Sequence, residues 1–237
     1  MIIIPDIHGR SFWKNAVKGR ETEDIVFLGD YLDPYSYEGI SRGITLANFK
    51  EILDFKHSHT NNVTLLLGNH DLGYICPDIN LHRHDLQRHN EIKQILTDNL
   101  DCFQLCTSRD IKDTTYLFSH SFVNKYWIEA CKWYLKFEYK HPSELSEILN
   151  KMLYKQPKKM FELLSIISHH RGGDYEFGSM VWSDLLEVNL PEPFLENVVN
   201  VFGHTQVKKP AIYKKFVCLD TKQAFELQND GKFFIIS

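Results

Sequence analysis

Long apolar runs are missing from this 237-residue chain. None approaches the roughly 20 residues that a membrane-spanning helix needs, so a bilayer-crossing protein is not expected. Cysteine is scarce: Cys76, Cys102, Cys106, Cys131 and Cys218 are odd in number and form no CxxC pair. That pattern fits buried thiols in a reducing cytoplasm better than a disulfide framework. Charge of one sign is not in excess either, because 27 Lys and Arg stand against 31 Asp and Glu. A net charge of −4 gives no electrostatic case for broad nucleic-acid or membrane binding. The opening Met1-Ile2-Ile3-Ile4-Pro5-Asp6 has no basic leader and no long apolar core, and reads as a strand instead of a signal peptide. Repeats, low-complexity tracts and linkers are also lacking. Residues 1–237 are therefore expected to form one domain with a sizeable core and a helical insertion at about 123–170.

What the chain does contain is one pattern written five times. Ile25-Val26-Phe27-Leu28 runs into Gly29-Asp30-Tyr31-Leu32-Asp33, and a short apolar run ending in glycine reads as a buried strand. Ile2-Ile3-Ile4-Pro5 runs into Asp6-Ile7-His8-Gly9, and Val63-Thr64-Leu65-Leu66-Leu67 into Gly68-Asn69-His70-Asp71. Thr114-Thr115-Tyr116-Leu117-Phe118 delivers Ser119-His120, and Val198-Val199-Asn200-Val201-Phe202 delivers Gly203-His204-Thr205. A carboxylate at the end of a buried strand is costly unless a cation compensates it. Five such ends predict a shared site.

Between these runs the periodicity alternates. Ile44, Leu46, Phe49, Ile52, Leu53 and Phe55 form a helical stripe over 44–59, so the first third reads as βαβ units with a largely parallel sheet. Residues 84–100 read as a helix with Leu86, Ile92, Ile95 and Leu96 on one face, followed by an irregular stretch to 111. Residues 123–168 form a helical block broken at Pro142 and Pro157. In it, Trp127, Trp133, Tyr134 and Phe137 are expected in the core. Strands are expected at 198–202, 211–219, 224–227 and 232–236.

Asp, His and Asn gathered at strand ends suit one or two divalent ions such as Zn, Mn, Fe or Ni. Asp30, on a central strand, is placed to bridge two of them. Two adjacent ions polarise a phosphoryl oxygen and turn water into hydroxide near neutral pH. His70 could then protonate the leaving oxygen, with Asp33 holding its tautomer.

The ordered set Asp6-Ile7-His8-Gly9, Gly29-Asp30-Tyr31-Leu32-Asp33, Gly68-Asn69-His70-Asp71, His120 and Gly203-His204-Thr205 resembles the motifs of calcineurin-like metallophosphoesterases across essentially the whole chain. Val181-Trp182-Ser183-Asp184 and Val217-Cys218-Leu219-Asp220-Thr221 are similar to segments of the phosphoprotein-phosphatase branch, including bacterial and phage enzymes. The resemblance implies an α/β fold, a two-sheet β-sandwich flanked by helices, with a dinuclear centre at the strand C-termini. It implies Asp6 and His8 on the first ion, Asp30 bridging, and Asn69, His120 and His204 on the second, with His70 as general acid paired to Asp33. Manganese is the first choice of metal, with iron, zinc or nickel as alternatives. The expected activity is hydrolysis of a phosphomonoester, in a phosphoprotein or nucleotide, by metal-bound hydroxide without a covalent enzyme intermediate. A dinucleoside-polyphosphate pyrophosphohydrolase and a non-catalytic scaffold of the same fold are the alternatives.

Two departures from the family pattern bear on substrate binding. Pro34 stands where an arginine usually follows the second Asp, and Pro5 where a glycine is usual. Arg171, in His169-His170-Arg171-Gly172-Gly173, matches a second phosphate-binding arginine, with Asn69 also facing the phosphate. Arg10 or Arg42 is the expected replacement for the one missing at Pro34. The cluster His82, Arg83, His84, Arg88 and His89 follows the Gly68–Asp71 loop and is a candidate lining for the substrate mouth, but a solvated helix face is the first reading.

Overall fold

A computed structural model of the chain describes residues 1–76, 79 and 83–236; His82 lies outside the described residues. In chain order the strands are β1 (Ile2–Ile4), β2 (Ile25–Phe27), β3 (Val63–Leu66), β4 (Phe103–Gln104), β5 (Cys106–Ile111), β6 (Thr114–Ser119), β7 (Val198–Phe202), β8 (Ala211–Ile212), β9 (Phe216–Cys218), β10 (Phe225–Leu227) and β11 (Phe233–Ile235). The helices are α1 (Phe12–Val17), α2 (Arg42–Ser58), α3 (Asn69–Ile75), α4 (His89–Asp98), α5 (Lys125–Leu135), α6 (Glu144–Lys155) and α7 (Pro157–Leu164). The fold is α/β with two sheets, and the chain divides into two compact units: Met1–Gln104 with Lys222–Ser237, and Leu105–Thr221.

The first unit carries a six-stranded sheet in the order β11-β10-β1-β2-β3-β4. Its centre is parallel: Ile4 pairs with Phe27 and Phe27 with Leu65, so β1, β2 and β3 end at one edge. Every residue of β1 and β2 is buried, which is why they read as unbroken apolar runs instead of alternating ones. α2 starts where the Ser41 hydroxyl accepts the Ile44 N–H, and it buries Leu46, Phe49, Ile52 and Leu53. Phe49, Tyr31 and Phe103 meet in an aromatic cluster with ring centroids 5.4–6.3 Å apart.

The second unit carries a five-stranded sheet in the order β5-β6-β7-β9-β8. β6, β7 and β9 are parallel, with Phe118 opposite Val201 and Val201 opposite Val217. α5 is capped by Asn124, whose Oδ1 accepts the Trp127 N–H at 2.8 Å, and α7 begins with Pro157 in its first turn.

Four local expectations need correction. The stretch after Cys102 is not irregular, because β5 pairs with β6 over six positions. As an edge strand β5 tolerates Thr107, Ser108, Arg109 and Asp110, which hides its alternation. The 211–219 run is two short strands, turned where the Tyr213 N–H donates to the Phe216 carbonyl. α4 begins at His89, not at 84, because Asp85 takes the Arg88 N–H on its own side chain; Leu86, outside the helix, is 80% exposed. Trp133 is 72% exposed, whereas Trp127 is fully buried. Six residues advance a helix by about 600°, which leaves the two indoles about 120° apart.

Candidate metal centre

Three parallel strand ends build the cluster of the first unit. Pro5 to Gly9 follow β1, Gly29 and Asp30 follow β2, and Gly68 and Asn69 follow β3 and open α3. The loops are tied by backbone bonds, since the Asp30 carbonyl accepts the N–H of both Ile7 (3.1 Å) and His8 (2.7 Å). Glycine is required at two crossings. A Cβ on Gly68 would lie 2.1 Å from Asp30 Oδ1, and one on Gly29 would lie 2.5 Å from the Gly68 nitrogen. Gly29 also has φ +100°.

Asp6, His8 and Asp30 are each at least 98% buried, and each offers a ligand atom within 4.8 Å of the others. His8 Nδ1 faces the Leu32 carbonyl at 2.8 Å, so this nitrogen carries the proton and Nε2 keeps its lone pair. That lone pair points at Asp30 Oδ2, 3.4 Å away. Burial holds the His8 pKa well below the ordinary imidazole value, against the opposing pull of Asp30. An imidazole acceptor facing a buried carboxylate, with a second carboxylate adjoining, is a donor set that fits a divalent cation. A metal-bound histidine commonly spends its other ring N–H on a carbonyl in this way.

Beside the cluster, His70 is held from three directions. Its N–H donates to Asp30 Oδ1 at 2.9 Å, its Nδ1 lies 2.7 Å from Asp33 Oδ2, and its Nε2 lies 2.9 Å from Arg83 Nη2. A guanidinium only donates, so Nε2 accepts and Nδ1–H donates to Asp33. His8 and His70 meet edge to face, centroids 5.2 Å apart. Asn69 is 2% exposed in the first turn of α3.

In the second unit, His120 follows β6 and His204 follows β7 at the same sheet edge, and the Gly203 N–H donates to the His120 carbonyl. His120 Nε2 and His204 Nδ1 are 3.0 Å apart. Arg171 Nε pairs with Asp184 Oδ2 at 2.7 Å, and its Nη2 donates to the Thr205 hydroxyl. The Trp182 ring stands edge-on to His204, centroids 6.0 Å apart.

Four of the nine described non-glycine residues with positive φ lie at these positions. His8, Asp30, Asp33 and His204 have φ of 44°, 53°, 56° and 62°. Non-glycine residues hold such angles at about 1–3 kcal/mol each, and Asp33 also precedes a proline, where extended backbone is preferred.

Two contributors, Asp71 and Tyr74, escaped the sequence reading, and a third, Arg83, departs from the solvated face that was its first reading. Asp71 accepts the N–H groups of Asp30 (2.8 Å), Tyr31 (3.0 Å) and Gly68 (2.9 Å), and so locks the loops after β2 and β3 together. Burial and the Asp30 charge raise its pKa well above the ordinary carboxyl value, with the three N–H donors opposing. The Gly68-x-x-Asp71 spacing of a helix start was a usable signal. Tyr74 donates to Asp33 Oδ1, and Arg83 donates to the Asp33 carbonyl at 2.6 Å while its Cζ stacks 3.6 Å over the Tyr35 ring. Arg83 is thus not on a solvated helix face, and His84 stacks on Tyr74 at 3.9 Å. Arg10 and Arg42 are engaged elsewhere. Arg10 makes a two-pronged pair with Glu38 at 2.8 and 3.0 Å, and Arg42 bonds Asp85 and the His84 carbonyl.

Among curated proteins none matches the chain. Among solved structures, it is similar to a cold-active protein-tyrosine phosphatase of the psychrophile Shewanella sp.. The TM-score is 0.56 at 15% identity, covering 100% of this chain and 80% of the other. A second structure of a cold-active protein-tyrosine phosphatase gives 0.56 at 16%, covering 99% and 77%. At this identity the likeness shows the fold. The model of the calcineurin-like phosphoesterases matches residues 2–208, and the chain belongs to that family of metal-dependent phosphatases.

Proposed function

We propose that this chain is a phosphomonoesterase of the phosphoprotein-phosphatase kind, working with two divalent ions, manganese first among them. The observation that carries the reading is the convergence of Asp6, His8 and Asp30 within 4.8 Å beside the oriented His70–Asp33 pair. Asp6 and His8 are assigned to the first ion and Asp30 to the bridge. Asn69, His120 and His204 are assigned to the second on the family resemblance. When bound, such ions polarise a phosphoryl oxygen and acidify a water near neutral pH.

The protein's own groups do the rest. His70 is assigned as proton donor to the leaving oxygen through Nε2–H of the doubly protonated ring, and Asp33, which takes the Nδ1–H, holds that ring and stabilises its charge. Arg171, fixed by Asp184 and Thr205, and Asn69 are assigned to the phosphate. No side chain is assigned as a covalent nucleophile. The Shewanella protein is a protein-tyrosine phosphatase, and a phosphorylated protein side chain is the substrate class we put first, with a nucleotide second. No described helix is long and apolar enough to cross a membrane. A reducing, cytoplasmic setting is part of this reading, on the scarcity and odd number of cysteines in the sequence.

The deciding assay is hydrolysis of p-nitrophenyl phosphate with added Mn, for the wild type and Asp30→Asn. Turnover by the wild type, lost together with bound metal in the variant, is expected. Wild-type protein that binds Mn without turnover would instead be a scaffold.

A further inference from the structure

The arginines of the first unit differ in what neutralises them. Arg10 sits on Glu38, Arg20 on Glu23 and Glu226, and both Arg42 and Arg88 on Asp85. Arg83 differs: among the described residues its guanidinium has no carboxylate partner. It is half-buried and held by neutral groups, through Nη1 on the Asp33 carbonyl, Nη2 on His70 Nε2 and Cζ over the Tyr35 ring. A cation removed from much of its water and given only neutral acceptors and an aromatic face has Coulomb energy left to gain from an anion.

Its position says which anion. The Tyr35 ring that Arg83 covers packs edge-on against His8, with centroids 4.9 Å apart, so one aromatic ring separates the guanidinium from a residue of the metal cluster. An ester oxygen brought within hydrogen-bond distance of His70 Nε2 must enter the space now taken by Arg83 Nη2.

We infer that Arg83 is a phosphate-binding, specificity-determining residue, whose Nη2 bond passes from His70 Nε2 to a non-bridging phosphoryl oxygen of the substrate. Nη2 swings off Nε2, which takes up a proton from water and faces the leaving oxygen, while the bond to the Asp33 carbonyl and the Tyr35 stack tether the guanidinium beside it. A planar fork on phosphate favours a dianionic monoester over a monoanionic diester. This rests on the phosphomonoesterase reading, and it assigns to Arg83 a grip that neither Pro34 nor the engaged Arg10 and Arg42 supplies.

The test compares wild type, Arg83→Lys and Arg83→Met, all Mn-loaded, on p-nitrophenyl phosphate, on bis(p-nitrophenyl) phosphate and for inhibition by inorganic phosphate. Loss of a charge-assisted hydrogen bond predicts that Arg83→Met weakens phosphate inhibition about 10-fold or more. The ratio of monoester to diester kcat/KM should fall about as far, with bound Mn unchanged and Arg83→Lys in between. An unchanged phosphate inhibition constant and an unchanged ratio would overturn the inference, even if Arg83→Met unfolds at lower temperature, because a purely structural cap moves only the latter. If the wild type turns over neither ester, the phosphomonoesterase reading has failed. Calorimetric titration of inorganic phosphate into the Mn-loaded proteins then decides on Arg83 alone, since equal affinity in wild type and Arg83→Met rejects it and about 10-fold weaker binding upholds it.

Discussion

The Tyr74 hydroxyl donates to Asp33 Oδ1 at 2.5 Å, while the other oxygen of that carboxylate takes the His70 Nδ1–H at 2.7 Å. The same hydroxyl accepts the Asp85 N–H at 2.9 Å, so one phenol orients the carboxylate that orients the imidazole. Burial and the Asp33 charge push the Tyr74 pKa up, which keeps the hydroxyl a donor. Tyr74→Phe leaves a buried carboxylate oxygen and a backbone N–H without this partner. Denaturant unfolding should show a loss of about 1–3 kcal/mol. The kcat on p-nitrophenyl phosphate should fall about 10-fold with bound metal unchanged, as for loss of an outer-shell partner. An unaltered kcat would remove Tyr74 from the orienting chain.

The strand-end residues were legible because each is announced by a buried run that stops at glycine, serine or, before Asp6, proline, and parallel pairing then carries Asp6, Asp30 and Asn69 to one edge without further information. Their supports were not legible in the same way. Tyr74 and Asp71 lie inside a helix of seven residues, where one face looks like any buried face until the partner loop is placed. Arg83 lies in a run rich in His and Arg whose composition fits a solvated helix; its stacking on Tyr35 depends on a contact 48 positions away, since 83 − 35 = 48. β5 was hidden for a related reason, because its pairing with β6, and not its own alternation, makes it a strand.

Gly68→Ala tests whether the two ligand loops can separate. The added methyl would lie 2.1 Å from Asp30 Oδ1 and 2.5 Å from the Asp30 nitrogen, and the second of these is backbone that cannot rotate away. Stability should drop by about 1–3 kcal/mol, as for other overpacked buried sites. Mn affinity should fall with it, because the displaced side chain is Asp30. Retention of wild-type Mn affinity would show that Asp30 does not need this approach.

Glu38 links stability to pH through a part of the first unit that holds no proposed ligand. Desolvation raises its pKa, but hydrogen bonds from Arg10 and Lys222, and their charges, outweigh that and leave it below the ordinary glutamate value. A group whose folded pKa is depressed stabilises above its unfolded pKa and loses that contribution as pH falls through the folded value. Wild type should therefore exceed Glu38→Gln by about 1–2 kcal/mol at neutral pH, as expected for a half-buried charged pair. The gap should close in acid, below about pH 4, where the unfolded chain also begins to protonate. Urea unfolding at several pH values reads it, and a gap that widened in acid would reverse the assignment.

His70→Asn separates proton delivery from metal binding. Asparagine keeps the backbone N–H that donates to Asp30 Oδ1, so bound Mn should not change. An alkyl phosphate needs its leaving oxygen protonated, and its kcat should fall about 10²–10⁴-fold. p-Nitrophenolate leaves with little help, so its kcat should fall much less. The comparison is free of one ambiguity that affects a single substrate: loss of the Arg83 contact to Nε2 changes both esters alike, whereas loss of a proton donor does not. Equal losses on the two esters would assign His70 to positioning Arg83 and Asn69, and leave protonation of the leaving group to solvent.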